Sequence, residues 1–280
     1  MVKVFLMLSL FVFSAFAEDE VIEIQDPLMQ KVKSFVSEEE FSKNESFIKL
    51  IFSPQTNFYR QDRVDAVKVA QTLKENGLLK LFFVKPQELK LSFKTSASPL
   101  FFVKIMGDTL RNMGYYRYVT MESNLDSSEF TWTIVLKAEY ATDPLLLQAE
   151  LQKSGCGVID IKRHTKSHWE YSIDMSQASL NIPSLQDKQE MQLKRSLYAH
   201  WLNVSNIQSL KIKSSFRDHW YPKISYYNKQ LHLLKVIQED TRTRTLFLVV
   251  PSNARYIKID DMYTLKNVKD KLTLEPKGHK

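Results

Sequence analysis

Cysteine is almost missing from this chain: Cys156 is the only one in 280 residues. One thiol cannot close a loop within the chain, so no internal disulfide framework holds the fold and a hydrophobic core must do so. Cys156 sits in Ser154-Gly155-Cys156-Gly157 with no histidine or basic residue beside it in sequence, the setting of a small buried apolar residue, not a reactive thiol. Glycine is nearly as scarce, six in all, which leaves no material for a glycine-rich phosphate loop. There is no G-x-S-x-G nucleophile elbow. Only His164 and His168 lie four apart among the histidines, in a strand–turn context with no carboxylate in register, unlike a helical H-E-x-x-H zinc site. Asp260-Asp261, at the end of the Tyr256–Ile259 strand, could place a carboxylate or bind a cation, and a turn there explains it as well. No catalytic residue, metal ligand or cofactor is assigned on this basis. No apolar run reaches the roughly 20 residues that a membrane-spanning helix needs.

What is present begins with an export signal. Lys3 supplies a positive start, Val4–Phe16 is apolar or small throughout, and Ala15-Phe16-Ala17 places small residues at the −3 and −1 positions of a signal peptidase site. Glu18-Asp19-Glu20 follows at once. The expectation is a leader cleaved after Ala17 and a mature chain working in the periplasm or outside the cell. Nucleic acid is not an expected partner in that compartment.

Charge is unevenly spread. Residues 18–90 carry 11 basic and 13 acidic side chains, residues 91–184 carry 9 and 10, and residues 185–280 carry 18 and 9. The excess behind the net charge of +7 therefore lives in the last third. Such asymmetry points that part toward an anionic partner, whether lipid headgroups, acidic glycan, peptidoglycan or an acidic protein; a solvated basic surface that aids solubility is the alternative.

Three glycines mark a pattern between 62 and 180. In the first unit, from Asp62, Val64, Val67, Ala70 and Leu73 fall at helical spacing up to Gly77, and Leu78–Val84 and Glu88–Thr95 read as strands around Lys85-Pro86-Gln87. The second opens at Ser98-Pro99 and runs along Phe102, Ile105, Met106, Leu110 and Met113 to Gly114, with strands at Tyr115–Met121 and Phe130–Ala138. The third opens at Asp143-Pro144 and runs to Gly155, with strands at Val158–His164 and Trp169–Met175. The reading is three tandem αββ units that share a core, since each alone is too small to bury its apolar face. A helical arm over 18–61, opening at Asp26-Pro27 and broken at Pro54, precedes them. In element order alone, the repeats resemble the small α/β modules strung together by bacterial envelope machines, such as ring-building and POTRA-like domains. That likeness transfers no functional residue.

Residues 181–194 are polar, contain Pro183 and read as a linker. From 195 to 280 the pattern changes to short strands, at Leu210–Lys213, Ile224–Tyr227, His232–Ile237, Thr245–Val250 and Tyr256–Ile259, separated by turn residues. This predicts an all-β sandwich, so the whole is an α+β chain. The strings Trp220–Tyr227 and Ala254–Ile259 resemble a jelly-roll module of the galactose-binding-like type. Aromatics are dense in this region, and loops on rigid scaffolds often carry function. Ligand-binding candidates are therefore Trp201, Arg217, Asp218, His219, Trp220, Tyr221 and Lys223, with a place in the sandwich core as the other role for the aromatics. The function expected is a non-enzymatic periplasmic adaptor whose basic sandwich meets a glycan, an anionic membrane surface or an envelope protein. Two alternatives stand beside it: an enzyme acting on an envelope polymer, and a chaperone or assembly factor that accepts a client strand.

Overall fold

The structure is a computed structural model that describes residues 26–278. The leader, its cut after Ala17 and His279 lie outside the described residues.

Asp26 opens the described chain as a helix cap. Its carboxylate accepts from the Leu28 N–H at 2.9 Å, Pro27 takes the first helical position, and α1 spans Pro27–Phe35. Ser37 and Glu40 satisfy each other's backbone donors in a capping box at the start of α2 (Glu38–Lys43), and α3 (Glu45–Ile51) follows. Leu28, Val32, Phe35, Phe41 and Ile48 are buried, so the arm packs onto the rest of the molecule. A two-stranded hairpin comes next, β1 (Tyr59–Arg60) with β2 (Arg63–Val64), and α4 (Ala66–Glu75) starts at an Asp65 cap. Asp62 therefore sits in a hairpin turn, not at a helix start.

The remaining elements of this body are β3 (Phe82–Thr95), α5 (Pro99–Asn112), β4 (Val119–Leu125), β5 (Phe130–Tyr140), α6 (Pro144–Gln152), β6 (Gly157–Thr165) and β7 (His168–Asp174). All five longer strands share one sheet in the order β4-β5-β3-β7-β6, with β3 and β7 parallel and the other pairs antiparallel. Helices cover the face lined by Leu89, Leu91 and Phe93, and Phe102, Met106, Leu110, Leu147 and Leu151 complete the same core. Gly77, Gly114 and Gly155 all adopt positive φ just past a helix end, the backbone that helix-stopping glycines provide. The second and third units are αββ as expected, but the first is not. Its two strands are the single β3, and the turn at Lys85-Pro86-Gln87 is only a shift of register against β5 between Phe82 and Gln87. No Gly, Asn or Asp stands there to reverse the chain, and a proline costs a strand one ladder donor without turning it.

The stretch read as a linker is built into the second body. Leu185 is buried and its N–H donates to the Asn203 carbonyl at 3.0 Å, while β8 (Met191–Lys194) is an edge strand with Leu193 facing inward. Two inward leucines outweigh the polar residues around them. Beyond it come β9 (His200–Asn203), β10 (Ile207–Ser214), β11 (Pro222–Tyr227), β12 (Leu233–Gln238), β13 (Thr245–Val249), β14 (Tyr256–Asp261) and β15 (Lys271–Gly278). They form two antiparallel sheets, β13-β10-β15-β8 and β12-β11-β14-β9, packed over one core of Leu210, Ile212, Trp220, Ile224, Tyr226, Ile257, Ile259, Leu272 and Leu274. The chain is thus an α+β protein with a β-sandwich.

The two bodies touch through the second of these sheets. Tyr256 and Leu231 belong to the core of the α/β body, Trp201 and Tyr227 pack against it with rings 5.0 Å apart, and Lys104 of α5 lies over the Trp201 ring at 5.2 Å. The Leu180 N–H reaches the Tyr256 hydroxyl at 3.4 Å. Among the described residues no helix is long and apolar enough to cross a membrane.

Candidate functional site

The loop singled out in the sequence, Arg217–Lys223, divides by burial. Trp220 is fully buried, and its indole Nε1–H donates to the Asp260 carbonyl at 3.0 Å, so it fills the sandwich core and cannot stack on a ligand. Asp218 is buried as well. One carboxylate oxygen accepts from the N–H groups of Lys269 and Asp270 at 2.7 and 2.9 Å, and the other from Ser215 at 2.9 Å. Asp261 does the same work one strand away, accepting from the Tyr221, Tyr263 and Thr264 N–H groups, each at 2.9 Å. These two aspartates tie the 215–221 loop to the 261–270 segment. Tyr221 is half-buried and meets Tyr263 edge-on, with ring centroids 5.1 Å apart. Trp201 belongs to the contact between the bodies. Lys223 is half-buried on β11, on the sheet that faces the α/β body; only Arg217 and His219 are exposed. The seven candidates do not converge on one site.

A different surface does assemble. On the outer sheet of the sandwich, Leu210, Ile212, Leu248, Leu272 and Leu274 point inward, so their neighbours along each strand point out. The outward face carries Lys211 and Lys213 from β10, Lys271 and Lys277 from β15, and Lys194 from β8. Glu275 is the one carboxylate that these strands carry, and Glu190 just before β8 acts on Lys213 from nearby. Glu275 bonds closely to Lys213 and lies 3.5 Å from Lys211. Those two lysines hold its carboxyl below the usual range, and Glu275 in turn raises Lys213. Along the rim of this face the apolar side chains Phe247 and Val249 of β13 are 74% and 75% exposed, and Phe216 in the next loop is 79% exposed. Each phenyl ring has a cation over it, Lys211 at 5.2 Å from Phe247 and Arg244 at 4.6 Å from Phe216. Alternation along Lys271-Leu272-Thr273-Leu274-Glu275 and Thr245–Val249 is the signal that would have found this face.

The α/β body offers a trough of about 970 Å³ between the 115–119 segment and β5, lined by Arg111, Tyr116, Arg117, Tyr118, Val135 and Lys137 among others. Pairing of β4 with β5 ends at Val119 and Val135, so from Leu136 to Tyr140 no strand among the described residues lies beside β5 on that side.

The sheet face away from the helices is charged and internally paired. Glu170 lies 3.4 Å from Lys94 and 3.5 Å from both Lys162 and His164. Burial opposes its ionisation, but the two lysines outweigh burial and hold its pKa below the ordinary value. Asp126 and Glu45 are lowered too, by N–H donors and by Lys49 respectively. Cys156 is buried, and burial pushes its thiol up to about 11. The described residues contain no cluster of three metal-ligating side chains.

No family model matches the chain, and neither a curated protein nor a solved structure matches it.

Proposed function

We propose that this protein is a non-enzymatic adaptor of the bacterial cell envelope, exported to the periplasm by a cleavable signal peptide, and that its sandwich holds an anionic partner on the outer sheet. The observation that carries this reading is the basic face itself: five lysines from three neighbouring strands that carry a single carboxylate, Glu275, on the layer turned away from the α/β body. Such a surface attracts anionic partners through its summed field, and the attraction weakens with salt. Binding of the purified protein to peptidoglycan, a sulfated glycan and anionic vesicles, at about 0.05 and about 0.5 M NaCl, tests it. The triple variant Lys211→Gln/Lys271→Gln/Lys277→Gln should weaken capture about tenfold or more. Capture unchanged by that variant, or absent for every anionic surface, overturns the reading.

A second reading draws on the free edge of β5. A segment from a client protein added beside Leu136–Tyr140 would extend the five-stranded sheet, as an assembly factor does when it accepts a strand. Capture of extended client peptides, lost when the trough is filled by Gly107→Trp, is its test.

A further inference from the structure

We infer that the anionic partner of the basic sandwich face is a lipid bilayer, docked with Phe216, Phe247 and Val249 in the headgroup layer and the lysines over the lipid phosphates. This inference rests on the adaptor reading and narrows it to one partner.

Three observations favour a bilayer over a soluble polyanion. The first is the company the lysines keep. The charges would serve any polyanion, yet this face also exposes three large apolar side chains to water. Phenyl rings can stack on sugars, but Val249, 75% exposed, has no flat face to offer one. An acyl-chain boundary accepts all three side chains alike.

The second is their placement. Phe247 and Val249 are two residues apart on edge strand β13, with buried Leu248 between them, so both project from the same face as Lys211 and Ser209, their register partners. Phe216 and Arg244 stand beyond the end of that row, next to the Ser214–Arg244 backbone hydrogen bond at 3.0 Å. Phe247 and Val249 therefore form one exposed row, and Phe216 stands past its end.

The third is the level at which ring and charge meet. Lys211 lies over Phe247 and Arg244 over Phe216, so each ring carries a cation within about one ring's breadth of it. Aromatic and basic side chains share this layering at bilayer interfaces, with the ring among glycerol and headgroups and the cation at the phosphates. The opposite sheet of the sandwich is occupied by the α/β body through Trp201, Tyr227 and Tyr256, so the outer sheet can lie flat on a membrane without a clash from its own chain.

The test is co-flotation of the purified protein with vesicles of phosphatidylcholine alone, and of phosphatidylcholine with about one-third phosphatidylglycerol, beside parallel binding to a sulfated glycan. The expected result is binding to the anionic vesicles and little to the neutral ones. Each of Lys211→Gln and Lys277→Gln should lower the partition constant about fivefold, and Phe216→Ser/Phe247→Ser about tenfold or more. All these side chains lie at the surface, and an unchanged thermal transition confirms that the variants fold. Glycan binding without vesicle binding overturns the bilayer inference and leaves the adaptor reading standing. Failure to bind either defeats both. Vesicle binding that responds to the lysines but not to the phenylalanines overturns the insertion of the rim. A switch from dimer to monomer in Phe216→Ser/Phe247→Ser, seen by sedimentation, assigns the rim to self-association instead.

Discussion

Tyr226 and Trp220 are both fully buried in the sandwich core, yet they differ in what their polar ends find. Trp220 donates to the Asp260 carbonyl, whereas the Tyr226 hydroxyl has no hydrogen-bond partner among the described residues. Burial pushes the Tyr226 phenol pKa well up, in keeping with a site that tolerates no charge. A buried unsatisfied hydroxyl costs about 1–3 kcal/mol. Tyr226→Phe should therefore leave the protein as stable or about 1 kcal/mol more stable, whereas Trp220→Ala should cost about 3–5 kcal/mol by emptying the core and stranding a carbonyl. Urea unfolding of the two variants checks both, and a destabilised Tyr226→Phe would mean that the hydroxyl is satisfied after all. The same pair shows what sequence could reach at this scale. Density of aromatics in the 195–280 region was visible; which of them faced water was not. Asp218 reads as a loop residue and Trp220 as either a ligand contact or part of the core, and only the neighbouring strands decide that both are buried.

Helices were the most legible elements, because their ends carry chemistry: Asp26-Pro27, Ser98-Pro99 and Asp143-Pro144 at the starts, and Gly77, Gly114 and Gly155 past the ends. These glycines are not equivalent. A Cβ added at Gly77 meets nothing within 4 Å, but one added at Gly155 collides with the Gln177 carbonyl oxygen. Gly77→Ala carries only the left-handed backbone penalty, about 1–2 kcal/mol. Gly155→Ala adds displacement of the 177–178 backbone and should be the more destabilising by about 1 kcal/mol or more. Thermal melts of the two variants decide, and equal losses would refute the close approach. Strands were less legible. β3 was divided at Pro86, and β8, β9 and β15 were missed. β8 and β9 are four residues long, and β15 mixes lysines with Pro276, so neither length nor composition announces a strand. β15 is nonetheless interior to its sheet, held there by Leu272 and Leu274, and its lysines build the basic face.

Across the whole molecule, two histidines link stability to pH. Burial lowers the pKa of His168, and nearby His164 and Lys90 lower it further against an opposing Glu170; burial lowers that of His200, with Asp260 opposing. Their folded pKa values lie below the roughly 6.5 of an unfolded histidine, so the unfolded chain binds more protons as pH falls past that value. Their contribution is whole above about pH 6.5 and is lost as pH drops through the folded pKa values. The melting temperature should be lower at about pH 5.5 than at about pH 7.5, and His168→Gln/His200→Gln should narrow the gap. A melting temperature that rises on acidification would refute the assignment. At this scale the two-body organisation and the charge imbalance were legible, because both are sums over many residues. How the bodies meet was not, since Trp201, Tyr227 with Leu231, and Tyr256 come together from three separate segments.

The stretch from Met175 to Leu185 is no tether. Met175, Ala178, Leu180 and Leu185 are buried along it, and its backbone bonds to Ser154 on one side and to Asn203 on the other. A joint packed in this way makes the molecule behave as a bracket, not a flail. Were the sandwich to settle on a surface, that joint would carry the edge of β5 with it. A partner fastened there would inherit that alignment, so position would be specified by a fold instead of by a second attachment.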